Sequence, residues 1–557
     1  MILGIDVGGT HTDAVLLDNF AVRRKAKVIT NQKDLLDSLL KVTEEILGDD
    51  GPELLDRVVL STTMSTNAIV QGNTSRVAMI LAGGPGLSSE MLAINDDTHF
   101  VSGYVNHRGI EAAPVHRGEV ERIRTELRDK GINHLGVVGK FSTRDPKIET
   151  DIADILKNDF SHISLGHRMS GNLNFPRRIA TTYLNAAIWD TYNSFIKNIT
   201  RFVGRFTTGL PIYILKADGG TFEISQSAKC PVQTILSGPA ASIMGILSLT
   251  DCPDDAIALD IGGTTTDIAI FAGGVPLLEP LGVTIKGHKT LIRGLRTKSI
   301  GIGGDSVVSV EKGELSVGPE RRGPAAAFGG PAATPTDAMI VLGHTDIGDS
   351  GKARAAIAGL AEALGRSPEE TAQAIFERTC NDIVTAVQEM IREINNEPVY
   401  TVHEMLEGKQ ISPSVLFVVG GPAEPMAPHL GDRLGCRAEI PPNAEVANAI
   451  GAALARTTTE LTVLADTEKE QLTIVEEGVQ QPIPASFTRE DALDICRKRL
   501  RERAISMGGR EEDLEIEITE DQSFNMVRGY YTAGRNIRIK AQVKPGLIAL
   551  SGKDADR

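Results

Sequence analysis

The chain has 557 residues, 41% hydrophobic and 24% charged, with a formal net charge of -15 and 4% aromatics. That length exceeds what one hydrophobic core serves and sets an expectation of three or four domains. The acidic balance argues against sequence-independent nucleic-acid binding, which needs a basic face, and the sparse aromatics, with Trp189 the lone tryptophan, argue against a base-stacking platform.

In chain order, an apolar run from Ile2 to Val7 predicts a buried strand, a Gly-Gly turn follows, and a second strand is expected over Ala14 to Leu17. MILGIDVGG reads as this strand and not as a signal peptide, and no apolar run approaches the roughly 20 residues of a membrane span, so a cytoplasmic chain without membrane contact is expected. Gln32 to Leu47 has the spacing of an amphipathic helix. Strand-like runs recur at Arg57 to Leu60, Val77 to Leu81 and Leu135 to Val138, with a Gly- and Pro-bearing connection carrying Asn106, His107, Arg108 and Gly109. Ile179 to Val203 is helical in pattern and Pro211 to Leu215 again a strand. KADGGTF and ILSGPAAS then lead to a second apolar run, Ala256 to Ile261, a second Gly-Gly turn, and a strand over Ile268 to Phe271. Pro319 to Pro335 reads as a loop, Pro368 to Asn395 as a long helix with one apolar stripe, and Glu445 to Arg456 as a small-residue helix. Beyond about Thr457 the chain alternates and turns acidic, Thr488 and Asp491 resemble a capping box, and alternating runs end at Val543. The alternation of strand and helix indicates α/β domains, expected over 1–165 and 166–456, with 457–557 a small α+β appendage. Five cysteines, Cys230, Cys252, Cys380, Cys436 and Cys496, lack CxxC spacing, so neither disulfides nor zinc are expected.

The chemistry lies in a repeat. DVGGTHTD, Asp6 to Asp13, returns as DIGGTTTD, Asp260 to Asp267, identical at six of eight positions. Each copy predicts a hairpin tip. Gly8, Gly9, Gly262 and Gly263 remove the Cβ atoms that would keep phosphate oxygens from backbone N–H groups. Thr10, Thr12, Thr264 and Thr265 add hydroxyl donors. Asp6 and Asp260 stand where a carboxylate can hold Mg²⁺ directly or through water. Two such loops together imply one shared nucleotide site. Two further glycine pairs, Gly303 with Gly304 and Gly420 with Gly421, would admit a ribose or purine, the alternative being simple strand-ending turns; Asn448 is capable of a base or ribose contact. Walker and dinucleotide-fold signatures are missing, which excludes those readings.

The two hairpins and the GG-bearing segments resemble the actin, Hsp70 and sugar-kinase superfamily. More narrowly, DVGGTHTD, STTMSTNAIVQ, GYVNHRG, the ADGGT and TILSGPAAS pair, DIGGTTTD, GIGGDS, PTDAMIVLG and VVGGPAEPMAP resemble the hydantoinase/oxoprolinase family in its A-subunit type, from Met1 to about Arg456. The resemblance implies two RNase-H-like domains closing on ATP and Mg²⁺. It further implies an ATP-dependent hydrolase that phosphorylates the carbonyl of a cyclic amide or imide. A small-molecule kinase and an ATP-binding regulatory subunit are the alternatives. By the same resemblance Asp6 and Asp260 organise Mg²⁺, and the tip glycines with Thr10 and Thr264 hold the β- and γ-phosphates. Asp13 and Asp267 either orient the hairpin, assist the nucleophile, or accept N–H bonds within the turn. Thr62, Thr63, Asn67, His107 and Arg108 fall in segments implied to meet substrate, Arg108 being equally readable as an interdomain arginine. A B-type partner subunit and a homo-oligomer are expected. Departures from the family pattern are GPAAAFGGPAATP in place of a longer loop, Asp218, and the appendage.

Overall fold

The structure, a computed structural model, describes all residues except 32–33, 49–50, 207–208, 252–253, 280, 397–409 and 552–557. Cys252 and the expected first residue of the Gln32 helix lie outside the described residues; that helix is present from Leu35 to Leu47, capped by Asp34 accepting from Asp37 N.

Two sheets share one plan. In the first, Ile2–Val7, His11–Asp18 and Ala21–Ile29 form an antiparallel meander, and Ile2–Val7 also pairs in parallel with Arg57–Thr62, which pairs in parallel with Ile212–Leu215. Thr221–Glu223 adds an edge. In the second, Ala256–Ile261 and Thr266–Ala272 form the hairpin and Thr297–Ile300 the third antiparallel strand. Val415–Val419 and Arg437–Glu439 extend that sheet in parallel on the other side of Ala256–Ile261. Three antiparallel strands continued by two parallel ones is the RNase-H-like order, and it occurs twice. The first sheet draws in Ile212–Leu215 and Thr221–Glu223, so it crosses the expected division at residue 165.

Between these parts of the first sheet, the chain builds a four-stranded parallel sheet from Val77–Ala82, Thr98–Phe100, His134–Gly139 and His162–Leu165. The 32-residue helix Phe175–Phe206 joins it to the first sheet: Phe175, Ile179 and Ala186 pack with Val77 and Met79, while Tyr192, Phe195 and Ile199 pack with Leu3, Ile5 and Val58. Against the second sheet lies Pro368–Asn395, whose stripe Phe376, Cys380, Ile383 and Val387 meets Ile257, Leu259 and Leu416; Ser367 and Glu370 form its capping box.

Two short helices exchange sides. Ser237–Leu249, which follows the first sheet in sequence, covers the second through Ala240, Ala241, Ile243 and Ile246 against Ala256, Ala258 and Phe271. Ala447–Leu454, which follows the second sheet, covers the first through Ala449, Ile450 and Ala453 against Ile2, Val15, Leu17 and Val59. The helices touch backbone to backbone: a methyl group on Gly451 would fall 2.2 Å from Ala241 O, and one on Gly245 would fall 2.1 Å from Ala447 O. Small residues at this crossing bring the two hairpins together.

After residue 457 the chain forms its own sheet, ordered Val479–Pro482, Gln471–Ile474, Glu460–Asp466, Tyr531–Val543, Ile516–Arg528, backed by helix Arg489–Ser506, which Thr488 and Asp491 cap as the spacing predicts. Leu461, Val463, Leu472, Cys496, Leu500, Ile537 and Ile539 fill its core. Cys230, Cys380, Cys436 and Cys496 are free thiols. No helix among the described residues is long and apolar enough to cross a membrane.

Candidate active site

The same bond closes both hairpin turns, Gly8 N to His11 O at 3.0 Å and Gly262 N to Thr265 O at 2.9 Å. The strands behind the tips are largely buried, whereas Gly8 to Thr10 and Gly262 to Thr265 reach solvent. The tips face each other: a methyl group on Gly263 would lie 3.7 Å from Thr10 Oγ1 and 2.8 Å from Asp305 Oδ2. Asp305 is itself held by Arg321 Nη2 at 3.0 Å. Backbone donors and hydroxyls on two opposed tips form a clamp suited to a polyphosphate.

Register places Asp6 opposite Asp13 and Asp260 opposite Asp267. Asn448, on the exchanged helix Ala447–Leu454, donates from Nδ2 to Asp6 Oδ2 and Asp260 Oδ2, both at 3.3 Å, so one side chain ties the two hairpins together. Ser242 Oγ donates to Asp260 Oδ2 at 2.5 Å, and Lys27 Nζ lies 3.1 Å from Asp13 Oδ1. Asp6, 4% exposed, has its pKa pushed up to about 7, chiefly by burial, with the Asp13 and Asp260 charges adding to it. Burial and then the Asp260 charge push Asp267 up to about 7 as well. Asp13 is raised by burial in spite of Lys27. Asp6 Oδ1 and Asp267 Oδ1 are buried without a hydrogen-bond partner. Crowded, partly unsatisfied carboxylates at a phosphate clamp are what a divalent cation would neutralise. Two carboxylates, Asp6 and Asp260, bridged by Asn448 and with Asp6 Oδ1 left unpartnered, are a donor set that fits Mg²⁺, which binds one or two carboxylates and completes its shell with water and phosphate oxygens.

The structure gathers most of the predicted positions but reassigns several. Gly8, Gly9, Thr10, Gly262, Gly263, Thr264 and Thr265 form the tips. Thr12 does not: it is fully buried, and its Oγ1 lies 2.9 Å from Thr30 Oγ1, because alternate residues of a strand face opposite sides. Gly303 packs on the second tip, where a methyl group would meet Gly262 O at 2.6 Å, whereas a methyl group on Gly304 would meet Thr336 Oγ1 at 2.7 Å and Pro422 Cγ at 2.9 Å; Gly304 N and Asp305 N donate to Gly262 O and Gly263 O. Gly420, at φ +97, likewise backs onto Ile261 O, while a methyl group on Gly421 would meet open space. Asn448 is engaged with the Asp6 and Asp260 carboxylates. Thr62, Thr63 and Asn67 adjoin the first tip: Thr63 N and Oγ1 both donate to Val7 O at 3.3 Å, and Asn67 Nδ2 donates to Thr63 Oγ1 at 3.3 Å. His107 and Arg108 sit elsewhere, on an exposed turn against the C-terminal sheet, where Arg108 Nη2 pairs with Glu468 at 3.2 Å and Lys469 Nζ donates to Arg108 O. The interdomain reading of Arg108 thus describes its contacts.

Lys27, Ser242, Asp305 and Arg321 were not singled out in the sequence. Lys27 was readable in principle, since it stands directly across from Asp13 in the meander. Asp305 follows the Gly303 pair. Nothing local marks Arg321.

Residues 2–160 match the family described as Hydantoinase/oxoprolinase N-terminal region, and residues 178–461 match Hydantoinase/oxoprolinase. The chain is 23% identical over 448 residues to caprolactamase subunit alpha of Pseudomonas jessenii, covering 71% of this chain and 63% of that one. It is 24% identical over 408 residues to acetophenone carboxylase gamma subunit of Aromatoleum aromaticum, covering 61% and 53%. The chain thus spans less than two thirds of either relative. A nucleotide-free structure of acetone carboxylase, from work on ATP-dependent acetone carboxylation, superposes with a TM-score of 0.75 at 17% identity, covering 99% of this chain and 88% of that one, so the fold is shared.

Proposed function

The chain belongs to the hydantoinase/oxoprolinase family, and from that premise we propose that it uses Mg-ATP to phosphorylate the carbonyl oxygen of a small cyclic amide or imide, which water then opens. The observation that carries the reading is the pair of opposed tips joined through Asp6, Asn448 and Asp260. An amide carbonyl is a poor electrophile. Its oxygen attacks the γ-phosphorus and ADP departs; water adds to the activated carbon; the C–N bond breaks with protonation of nitrogen, and inorganic phosphate is released. The tip amides of Gly8, Gly9, Gly262 and Gly263 with Thr10 and Thr264 hold the phosphates, positioning and charge stabilisation being the main tasks in such a transfer. Asp6 and Asp260 hold Mg²⁺, which would neutralise charge on the transferring group. Asp13, tied to Lys27, orients the first hairpin, and Asp267, with a pKa of about 7, is suited to take a proton from the attacking water. Thr62, Thr63 and Asn67 border the space beside the first tip where the acceptor carbonyl would lie.

Caprolactamase subunit alpha and acetophenone carboxylase gamma subunit are named as parts of larger assemblies. That supports a B-type partner subunit for this chain, which would then supply the phosphorylating half of the reaction.

The test is phosphate release from Mg-ATP by the purified chain, alone and with a panel of lactams, hydantoins, 5-oxoproline and simple ketones. One compound should stimulate release and Asp260→Ala should abolish it. Unchanged hydrolysis by Asp260→Ala would sink the mechanism. A stable phosphorylated product in place of free phosphate would make the chain a kinase.

A further inference from the structure

After the hairpin of strands Val308–Glu311 and Glu314–Val317, the chain returns along the segment that backs the second tip. Gly318 N donates to Val307 O at 2.9 Å, Val307 N donates to Glu320 O at 2.8 Å, and a methyl group on Gly301 would fall 2.5 Å from Pro319 Cβ. This close return delivers Arg321 to Asp305, with Nε at 3.3 Å and Nη2 at 3.0 Å from the same oxygen, Oδ2. That oxygen is the one a methyl group on Gly263 would meet at 2.8 Å, and Asp305 N donates to Gly263 O at 2.7 Å. The guanidinium therefore stands one carboxylate oxygen away from the second tip.

Two features separate this pair from a surface ion pair. The Arg321 and Asp305 side chains are 26% and 15% exposed, whereas the neighbouring Arg322 and Glu320 pair with each other in solvent at 58% and 57%. Asp305 also holds the arginine by one edge only, and among the described residues Nη1 has no partner. Charge makes the position costly for a carboxylate alone. Asp6, Asp13, Asp260 and Asp267 already stand behind the tips, and a polyphosphate would bring further negative charge, so a carboxylate against Gly263 opposes the ligand unless a cation accompanies it. Lys27, a second cation near the tips, lies 3.1 Å from Asp13 Oδ1. Burial lowers the pKa of His11, beside the first tip; Lys27 and Arg321 add to that effect and Asp305 opposes it, so the charges of the pair reach the opposite side of the clamp.

We propose that Arg321 is a phosphate-binding residue of the clamp: Asp305 holds its guanidinium by Nε and Nη2, and Nη1 bonds an oxygen of the terminal phosphate of ATP. The inference rests on the reading of the two tips as a site for Mg-ATP. It adds to that site a guanidinium, whose donors suit phosphate oxygens, at the end where charge gathers during transfer. The contact favours a triphosphate over a diphosphate, because ADP lacks the group that Nη1 reaches.

Equilibrium binding of ADP and of a non-hydrolysable ATP analogue, each with Mg²⁺, to the full chain, to Arg321→Gln and to the double variant Arg321→Gln with Asp305→Asn tests this. Arg321→Gln should shift the preference toward ADP at least about tenfold, the worth of a charge-assisted hydrogen bond, with ADP affinity little changed. The shift should persist in the double variant. Recovery of the parental preference there overturns the proposal, because Arg321 would then only cancel the charge of Asp305. A preference that Arg321→Gln leaves unchanged, including an equal loss of both ligands, overturns it as well, while binding of both nucleotides to the parent keeps the clamp reading standing. Binding of neither nucleotide to the parent refutes that reading and the inference together.

Discussion

Replacing Asp6 by asparagine should stabilise the metal-free protein and disable it. The Asp6 carboxyl is moved from its ordinary 3.8 to about 7, which corresponds to at most about 4 kcal/mol of penalty on the ionised form. Between those two values the folded chain keeps a proton that the unfolded chain has lost. Stability therefore falls as pH rises through that window and is level above it. Asparagine keeps the shape and the contact with Asn448 without the charge, so the variant and the parent should unfold together near about pH 4 and diverge toward about pH 8, the variant being the more stable. Urea unfolding in EDTA, followed at several pH values and read as transition midpoints because a multidomain chain need not unfold in one step, makes the comparison. With Mg-ATP present the order should reverse, since only the parent gains binding energy from the ligand. An Asp6→Asn protein that unfolds earlier than the parent at about pH 8 in EDTA, or a gap that ignores pH, would refute the view that an unsatisfied carboxylate is stored here.

Thr10 and Thr12 should separate cleanly. Thr10→Val is expected to weaken nucleotide binding with little effect on stability, whereas Thr12→Val leaves the Thr30 hydroxyl buried without its partner, costing about 1–3 kcal/mol of stability while binding is retained; equilibrium binding of a fluorescent nucleotide and chemical denaturation read the two. Glu149 is fully buried, with Oε1 accepting from Gly139 N at 2.8 Å and Oε2 from His167 N at 2.8 Å and Nδ1 at 2.6 Å. Glu149→Ala should cost about 3–5 kcal/mol, because it strands these donors, and urea denaturation would show it. The neighbouring His167 and Arg178 charges hold the Glu149 pKa below the usual range against the pull of burial, so its contribution is present above the unfolded pKa and lost as pH falls through the folded one. Gly451→Ala places a methyl group 2.2 Å from Ala241 O; it should destabilise by about 1–3 kcal/mol and lower ATP turnover, because the helices that align the hairpins are forced apart.

The parts legible in the sequence were those specified by neighbours in the chain. The hairpins followed from a repeated Gly-Gly turn between apolar runs, and Pro368–Asn395 from its apolar stripe. Non-local placements were not legible. Nothing near Ile212–Leu215 says that it pairs with Arg57–Thr62, and the demand for glycine at Gly303 comes from the approach of Gly262, which only the folded chain brings close. Thr12 was misjudged for a different reason. Hydroxyl chemistry was read without the two-residue alternation that turns it away from the tip. Asn448 was read for a base or ribose contact, and its partners, two carboxylates far apart in sequence, are a tertiary fact that no local pattern carries.

The exchange of the two covering helices constrains synthesis. When the ribosome has completed Ile2–Val7, Arg57–Thr62 and Ile212–Leu215, the face formed by Ile2, Val15, Leu17 and Val59 still lacks its cover, which arrives only with Ala447–Leu454. The earliest sheet must therefore wait, apolar face open, for most of the chain to be made, a condition that favours chaperone capture or aggregation. Fragments cut between the two sheets should each be poorly soluble alone and should restore each other when expressed together, since each carries the piece that closes the other.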